Sequence, residues 1–149
     1  MPQHIAAPTT IPVPGGKKID EYVGRVNSGT AAVSVARMQA PGGWTEPAQA
    51  PSFDEVTLVL RGTVRVEHDG GMLDVRAGEA VLTRAGERVR YSTPDPDGAD
   101  YVAVCVPAFS PEAAGREGSA EQLGQRHVER GRQPQQADHV DAVRPLLDQ

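Results

Sequence analysis

The sequence predicts an all-β domain, and three observations point to that fold class. Gly and Pro together make up 29 of the 149 residues, above their usual combined share of about 12%. Short apolar runs recur through the middle of the chain, and turn-forming residues separate them. None of these runs has the spacing of an amphipathic helix. Short strands joined by regular turns are typical of an antiparallel sandwich or barrel.

The first part of the chain, residues 1–16, is predicted to be an extended arm. It contains four prolines and ends in the pair Gly15-Gly16. Proline has no N–H to donate to a strand ladder. We therefore expect this arm to be either mobile or laid along a surface, outside a barrel formed by residues 17–110.

The barrel region is predicted to consist of short strands without a helix. The predicted strands are 31–38, 53–60, 63–67, 72–75, 80–83, 89–93 and 101–106. The sequence Asp69-Gly70-Gly71 predicts a tight hairpin, because these residues accept the positive φ of primed turns.

Residues 111–149 form a polar tail rich in Glu, Gln, Arg and Gly. The prediction is a tail that is partly helical or disordered. Three apolar residues at helical spacing are compatible with a short helix over residues 137–147, although Pro145 counts against it; the alternative to a partly ordered tail is a packed helix or a clasp in a dimer.

Composition and charge exclude several classes of function. Fifteen basic and twenty acidic residues give a net charge of −5, which is not the basic excess of a nucleic-acid-binding domain. No apolar run approaches the roughly 20 residues needed to span a bilayer, and no signal-peptide pattern is visible. The single cysteine, Cys105, excludes an internal disulfide framework and a cysteine-based zinc cluster. We expect a cytoplasmic protein that binds neither nucleic acid nor membranes.

Two spaced motifs resemble those of the cupin superfamily. Gly42, Glu55 and Gly62 match the first motif, G-x5-H-x-H-x(3 or 4)-E-x6-G, and Gly78 and Gly86 match glycines of the second. The resemblance covers about residues 31–107. It implies a jelly-roll barrel, also called a double-stranded β-helix.

The histidines of these motifs are missing from the sequence. Their positions hold Ala48 and Ala50, or Gln49 and Pro51 in the alternative register, and Val89. Of the usual set of three histidines and one carboxylate, only Glu55 is present. Iron, manganese, nickel and zinc need imidazole ligands in such a site, so we expect neither a metal ion nor another cofactor. The four histidines of the chain are expected to lie on the surface; they are His4, His68, His127 and His139.

Glu55 and Tyr91 are the candidate catalytic residues. A carboxyl group in an apolar cup has a raised pKa, which suits a proton donor or acceptor near neutral pH. Tyr91 would orient a substrate oxygen. The structural alternatives are a Glu55 that pairs with Arg65 or Arg90, and a Tyr91 that only fills the core.

The candidate ligand-binding residues follow from alternation, because side chains two apart on a strand share a face. Trp44 and Met38 are placed at the rim of the cup. For the last strand the sequence leaves open whether the odd or the even positions of 101–106 point inward. The full candidate set is Phe53, Thr57, Gln49, Trp44, Met38, Val89, Tyr101 and Cys105. An apolar cup with a few polar groups is typical of a site for a small organic ligand.

Within the superfamily, residues 44–109 resemble the ethanolamine-utilisation (Q-type) cupins. The resemblance rests on the run Phe53-Asp54-Glu55 and on the segment Val106-Pro107-Ala108-Phe109. It implies a small jelly-roll barrel, a homodimer and the loss of the typical cupin metal. An acetate-kinase activity is associated with that family, but the sequence has no Gly-rich phosphate loop.

The sequence thus favours a metal-independent cupin that binds a small organic molecule and catalyses acid–base chemistry on it, as an isomerase, cyclase or lyase. The first alternative is a non-catalytic ligand-binding or accessory cupin of the ethanolamine-utilisation type. The second keeps a metal through Glu55 and ligands from elsewhere. A homodimer is expected in each case, since open-edged cupin sandwiches pair across subunits.

Overall fold

A computed structural model of the protein describes residues 1–117. In this part of the chain, ten strands form two antiparallel sheets, and one short helix follows the last strand. The elements are β1 (Thr9–Ile11), β2 (Lys18–Val23), β3 (Ser34–Ala40), β4 (Trp44–Thr45), β5 (Asp54–Arg61), β6 (Thr63–His68), β7 (Gly71–Arg76), β8 (Ala80–Thr83), β9 (Val89–Thr93), β10 (Ala99–Val106) and α1 (Pro111–Ala114). The all-β prediction is confirmed. The helix predicted over residues 137–147 lies outside the described residues.

The two sheets bury one core between them. The six-stranded sheet has the order β1-β2-β3-β10-β5-β8, and the four-stranded sheet has the order β4-β9-β6-β7. Strand β10 buries Tyr101, Ala103 and Cys105, which answers the question that the sequence left open. The main core cluster takes residues from both sheets: Ala40, Val59, Val64, Val66, Val75, Val89, Tyr91, Ala99 and Tyr101.

The strand prediction missed β1, β2 and the two-residue strand β4. Strand β1 lies between Pro8 and Pro12, so none of its paired residues is a proline. Its Ile11 pairs with Ile19 of β2. The arm is therefore laid along the edge of the six-stranded sheet. Strand β2 does not alternate, because Ile19, Asp20 and Glu21 are all buried. Glu21 is satisfied there by accepting the backbone N–H groups of Val26 and Asn27 at 2.9 and 2.8 Å.

Three strand ends meet closely at one end of the sheets, where two glycines are required. Gly62 and Gly98 have φ values of +75° and +72°, which favour glycine. A Cβ atom on Gly98 would overlap the carbonyl oxygen of Ala40, and one on Gly62 would overlap that of Gly98. The β5–β6 turn, the start of β10 and the end of β3 therefore pack backbone against backbone.

The chain continues to pack against the sheets beyond residue 110. Ser110 caps α1 by accepting the N–H of Ala113. The backbone of residues 113–117 then bonds to that of residues 48–52 through three hydrogen bonds. Residues 111–117, which the sequence assigned to the tail, thus carry Arg116 to the barrel. Within the described residues, no helix has the length and apolarity needed to cross a membrane.

Candidate functional site

A cavity of about 320 Å³ is lined by β2, β3, β5, β9 and β10, by the N-terminal arm and by residues near α1. Its volume is at the lower end of the range of about 300–1,000 Å³ typical of small-molecule sites. Eight of the ten predicted site residues line it: Met38, Gln49, Phe53, Glu55, Thr57, Tyr91, Tyr101 and Cys105. Trp44 and Val89 do not; Trp44 borders a neighbouring pocket, and Val89 is buried in the core.

Glu55 projects into this cavity from β5. On that strand Thr57 and Val59 are buried, as is Phe53 immediately before it, whereas Val56 and Leu58 are exposed, as alternation requires. The accessible surface of Glu55 therefore belongs to the cavity.

Burial raises the pKa of Glu55 to about 7, and the negative charge of Glu46 adds to this rise. Lys17 and Arg116 oppose it. At neutral pH the carboxyl group consequently exists in both protonation states.

Tyr91 holds the Glu55 carboxyl from β9. Its Oη donates to Oε2 of Glu55 at 3.5 Å and lies 3.0 Å from Oγ1 of Thr83. Burial, followed by the charge of Glu55, raises the pKa of the Tyr91 phenol. Tyr91 therefore stays protonated and acts as a hydrogen-bond donor.

The cations near Glu55 are not the two that the sequence suggested. Arg65 pairs with Asp74 at 2.8 Å, and Arg90 pairs with Glu67 at 2.6 Å. The residues on either side of each arginine along its strand are buried, so the arginine itself points away from the core. The pairing of Glu55 with Arg65 or Arg90 was wrong for this reason.

Lys17 and Glu46 line the cavity although the sequence did not indicate them. The Lys17 Nζ lies 4.1 Å from the ring centre of Trp44 and 5.4 Å from that of Tyr101. Burial lowers the pKa of Lys17 and raises that of Glu46. Neither residue belongs to a motif, because Lys17 immediately precedes β2 and Glu46 follows the two-residue strand β4.

Arg116 reaches the same cavity from the segment after α1. Its Nε donates to Oε1 of Gln49 at 3.4 Å, and its guanidinium lies 5.5 Å from the ring centre of Phe109. Gln49 is buried and lines the cavity. This placement favours the register in which Gln49 and Pro51 stand at the positions of the first-motif histidines.

Two further polar groups of β10 are buried in the cavity wall. Burial raises the pKa of the Cys105 thiol to about 12, so this cysteine is a poor nucleophile at neutral pH. Tyr101 is 4% exposed. Its Oη has no hydrogen-bond partner among the described residues, which is rare for a buried polar group.

The donor set of the cavity does not fit a cupin metal. The motif positions hold Gln49, Pro51 and Val89 beside Glu55, and amide, imino-acid and aliphatic groups do not replace imidazole as ligands. In residues 1–117 no group of three or more His, Cys, Asp or Glu side chains is arranged to hold a metal ion. The two histidines in that range, His4 and His68, are exposed.

A cavity enclosed by two antiparallel sheets, with this glycine framework, defines a ligand-binding domain of the cupin type. The family described as the AraC-like ligand-binding domain matches residues 42–148, and the chain belongs to this family.

A protein of Myxococcus xanthus (strain DK1622) named Endoribonuclease YbeY is 44% identical over 118 residues. The match covers 79% of this chain, which spans only 40% of that relative's length.

Two solved structures show the same fold. The RmlC-like cupin from Shewanella frigidimarina is 17% identical, has a TM-score of 0.59, and is matched over 69% of this chain and 86% of that one. The EutQ protein of Clostridium difficile is 21% identical, has a TM-score of 0.51, and is matched over 62% and 65%. The predicted resemblance to cupins, including those of ethanolamine utilisation, is confirmed at the level of the fold.

Proposed function

We propose that this domain binds a small organic molecule in the cavity and catalyses proton transfer on it without a metal, with Glu55 as the acid–base group. The observation that carries the proposal is the Glu55 carboxyl, which faces the cavity and has its pKa raised to about 7 by burial. A group with a pKa near the working pH is suited to both accept and return a proton.

The proposed reaction needs only this chain's own side chains. Ionised Glu55 removes a proton from an acidic C–H or O–H of the bound molecule and, once protonated, returns it at another position. The net change is an isomerisation when the proton returns to another carbon or oxygen of the molecule; it is an elimination when a double bond forms, a group departs with its bonding pair and Glu55 returns the proton to that group. The Tyr91 O–H, through its bond to Oε2, holds the carboxyl in one orientation. A cyclase would use the same two transfers: the deprotonated O–H adds to a C=O or C=C bond of the same molecule, that π bond breaks, and Glu55 returns the proton to the far atom, so the isomerase, cyclase and lyase classes share one acid–base group.

The alternative is a ligand-binding domain that leaves its ligand unchanged, and membership of the AraC-like ligand-binding family favours it. The same cavity serves both functions, and they differ only in whether Glu55 exchanges protons with the ligand. The Myxococcus relative is named an endoribonuclease, but this chain matches only 40% of its length. We therefore do not propose endoribonuclease activity for this domain.

Hydrogen–deuterium exchange separates the two functions. Small carbonyl compounds with acidic C–H groups, including acetone, pyruvate and cyclohexanone, are incubated with the protein in D₂O, and deuterium uptake is followed by NMR. We expect catalysed uptake whose rate follows a group with a pKa near 7. Glu55→Gln should slow it about 100-fold or more, whereas the exposed-site control Glu87→Gln should not. If the compounds bind but take up no deuterium, the non-catalytic function is supported. If Glu55→Gln catalyses deuterium uptake at the wild-type rate, Glu55 is not the acid–base group.

We further propose that a second copy of the chain covers the outer face of β5, β8 and β10. This face carries large exposed apolar side chains, and such patches mark interaction sites. They are Val56, Leu58, Leu60, Leu82 and Val106. The predicted cytoplasmic location stays a prediction.

A further inference from the structure

Two cations, Lys17 and Arg116, line the cavity without a carboxylate of residues 1–117 at ion-pair distance. We propose that Lys17 and Arg116 bind the carboxylate of a small organic acid, which is the ligand class of this cavity. This inference rests on the proposed function, because it concerns the same cavity, but it uses residues that the acid–base step does not involve.

Five basic side chains of residues 1–117 form no ion pair within that range, and of these five only Lys17 and Arg116 line the cavity; the others are Arg25, Arg76 and Arg84. Six basic side chains of the described region form ion pairs with carboxylates: Lys18, Arg37, Arg61, Arg65, Arg88 and Arg90. Lys17 instead lies against the rings of Trp44 and Tyr101, and Arg116 lies against Phe109. Aromatic faces attract cations without neutralising them, so both charges are available to an anion.

The acidic groups of the cavity form no ion pair with either cation within residues 1–117. Glu46 and Glu55 also line the cavity and interact electrostatically with Lys17 and Arg116, while Glu55, whose pKa burial raises to about 7, is partly protonated near neutral pH. Burial lowers the pKa of Lys17, and an anion bound beside its ammonium group would reverse that change. Because both cations line the cavity and neither is in an ion pair within residues 1–117, we expect a carboxylate to bind here more favourably than a neutral group of the same shape.

The hydroxyl of Tyr101 gives independent support. This buried group faces the cavity and has no partner in the described part of the chain, while Lys17 lies over its ring. A carboxylate oxygen would accept its O–H. The apolar body of the acid would then contact the cavity wall formed by Ile19, Ala36, Met38 and Phe53.

Trp44 provides the readout, since it is the single tryptophan of the chain and lies 4.1 Å from Lys17 Nζ. The probes are butyrate, benzoate, cinnamate and pyruvate, each compared with its amide by fluorescence titration and calorimetry. We expect at least one acid to bind about tenfold or more tightly than its amide, which is the strength of one charge-assisted hydrogen bond.

The variants assign that preference to the two cations. Lys17→Met and Arg116→Gln should each weaken binding of the acid about tenfold and leave the amide unchanged, and Lys17→Arg should restore part of the affinity. The matched control Arg37→Gln removes an exposed cation that pairs with Asp100 and should change neither. Circular dichroism checks that each variant folds.

Three results would overturn the assignment. These are equal binding of acids and amides, no binding of any of the four acids at millimolar concentration, and an unchanged preference in both cation variants. The failure of the proposed function is distinguishable: Glu55→Gln would then retain proton exchange, whatever the preference for acids.

Discussion

The raised pKa of Glu55 makes the stability of the domain depend on pH in a direction that can be stated in advance. The unfolded chain has a Glu55 pKa near its usual 4.5, whereas the folded value is about 7. Between these values the folded state binds the proton more tightly than the unfolded state does. The free energy of unfolding therefore decreases as the pH rises from about 4.5 to 7, and this contribution is constant above 7.

The size of the effect follows from the same two values. One pH unit corresponds to about 1.4 kcal/mol, so a rise from 4.5 to about 7 costs the folded state about 3 kcal/mol above pH 7. Glu55→Gln removes the titrating group but keeps a side chain of similar shape. The free energy of unfolding of this variant minus that of the wild type should therefore increase by about 3 kcal/mol as the pH rises from acidic to neutral.

Urea unfolding at several pH values between about 5 and 8, followed by circular dichroism, measures this difference. Glu87→Gln serves as the control because Glu87 is exposed and its amide replacement can still accept the N–H of Arg84. The control should follow the wild-type curve. Parallel curves for Glu55→Gln and the wild type would show that Glu55 is not buried as a carboxyl in the free protein, and would refute the reasoning.

Three further predictions concern the framework of the site. Gly98→Ala should lower the free energy of unfolding by about 3 kcal/mol, because it adds a Cβ at a positive φ against the Ala40 carbonyl; a loss below about 1 kcal/mol would contradict that close approach. Phe53→Ala should cost about 3–5 kcal/mol in the same assay, since its ring is 2% exposed and packs against Phe109; a near-neutral result would show that the cavity wall collapses. The protein should elute as a dimer in size-exclusion chromatography with light scattering, and Leu58→Asp should convert it to a monomer; a monomeric wild type would contradict the proposed interface.

The sequence was sufficient to predict the fold and the inward face of β5. Alternation predicted that Phe53, Glu55 and Thr57 share one face, and that pattern is local because each residue is two positions from the next. Gly62 and Gly86 fit the motif spacing because turns with positive φ favour glycine. These features depend on neighbours along the chain and are therefore readable from it.

The other charged groups of the cavity, Lys17, Glu46 and Arg116, were not predictable in the same way. Lys17 enters the cavity because β2 pairs with β3, and Arg116 enters because residues 113–117 bond to residues 48–52. Neither pairing leaves an alternating pattern, since β2 buries three successive residues and the segment after α1 is polar. A side chain placed by long-range pairing has no signal in its own sequence neighbourhood.

The missing histidines and the unpredicted cations together explain how one carboxyl can change its role. Beside a bound metal ion, a carboxylate is stabilised in its ionised form and its pKa is low. At the motif positions this chain places Gln49 and Val89 instead of imidazoles, and its cations lie on aromatic rings rather than against Glu55. Burial is then the largest influence on Glu55, and it raises the pKa to about 7. On this basis we propose that Glu55, which stands at the position of a metal ligand in the cupin motif that the sequence resembles, transfers protons instead.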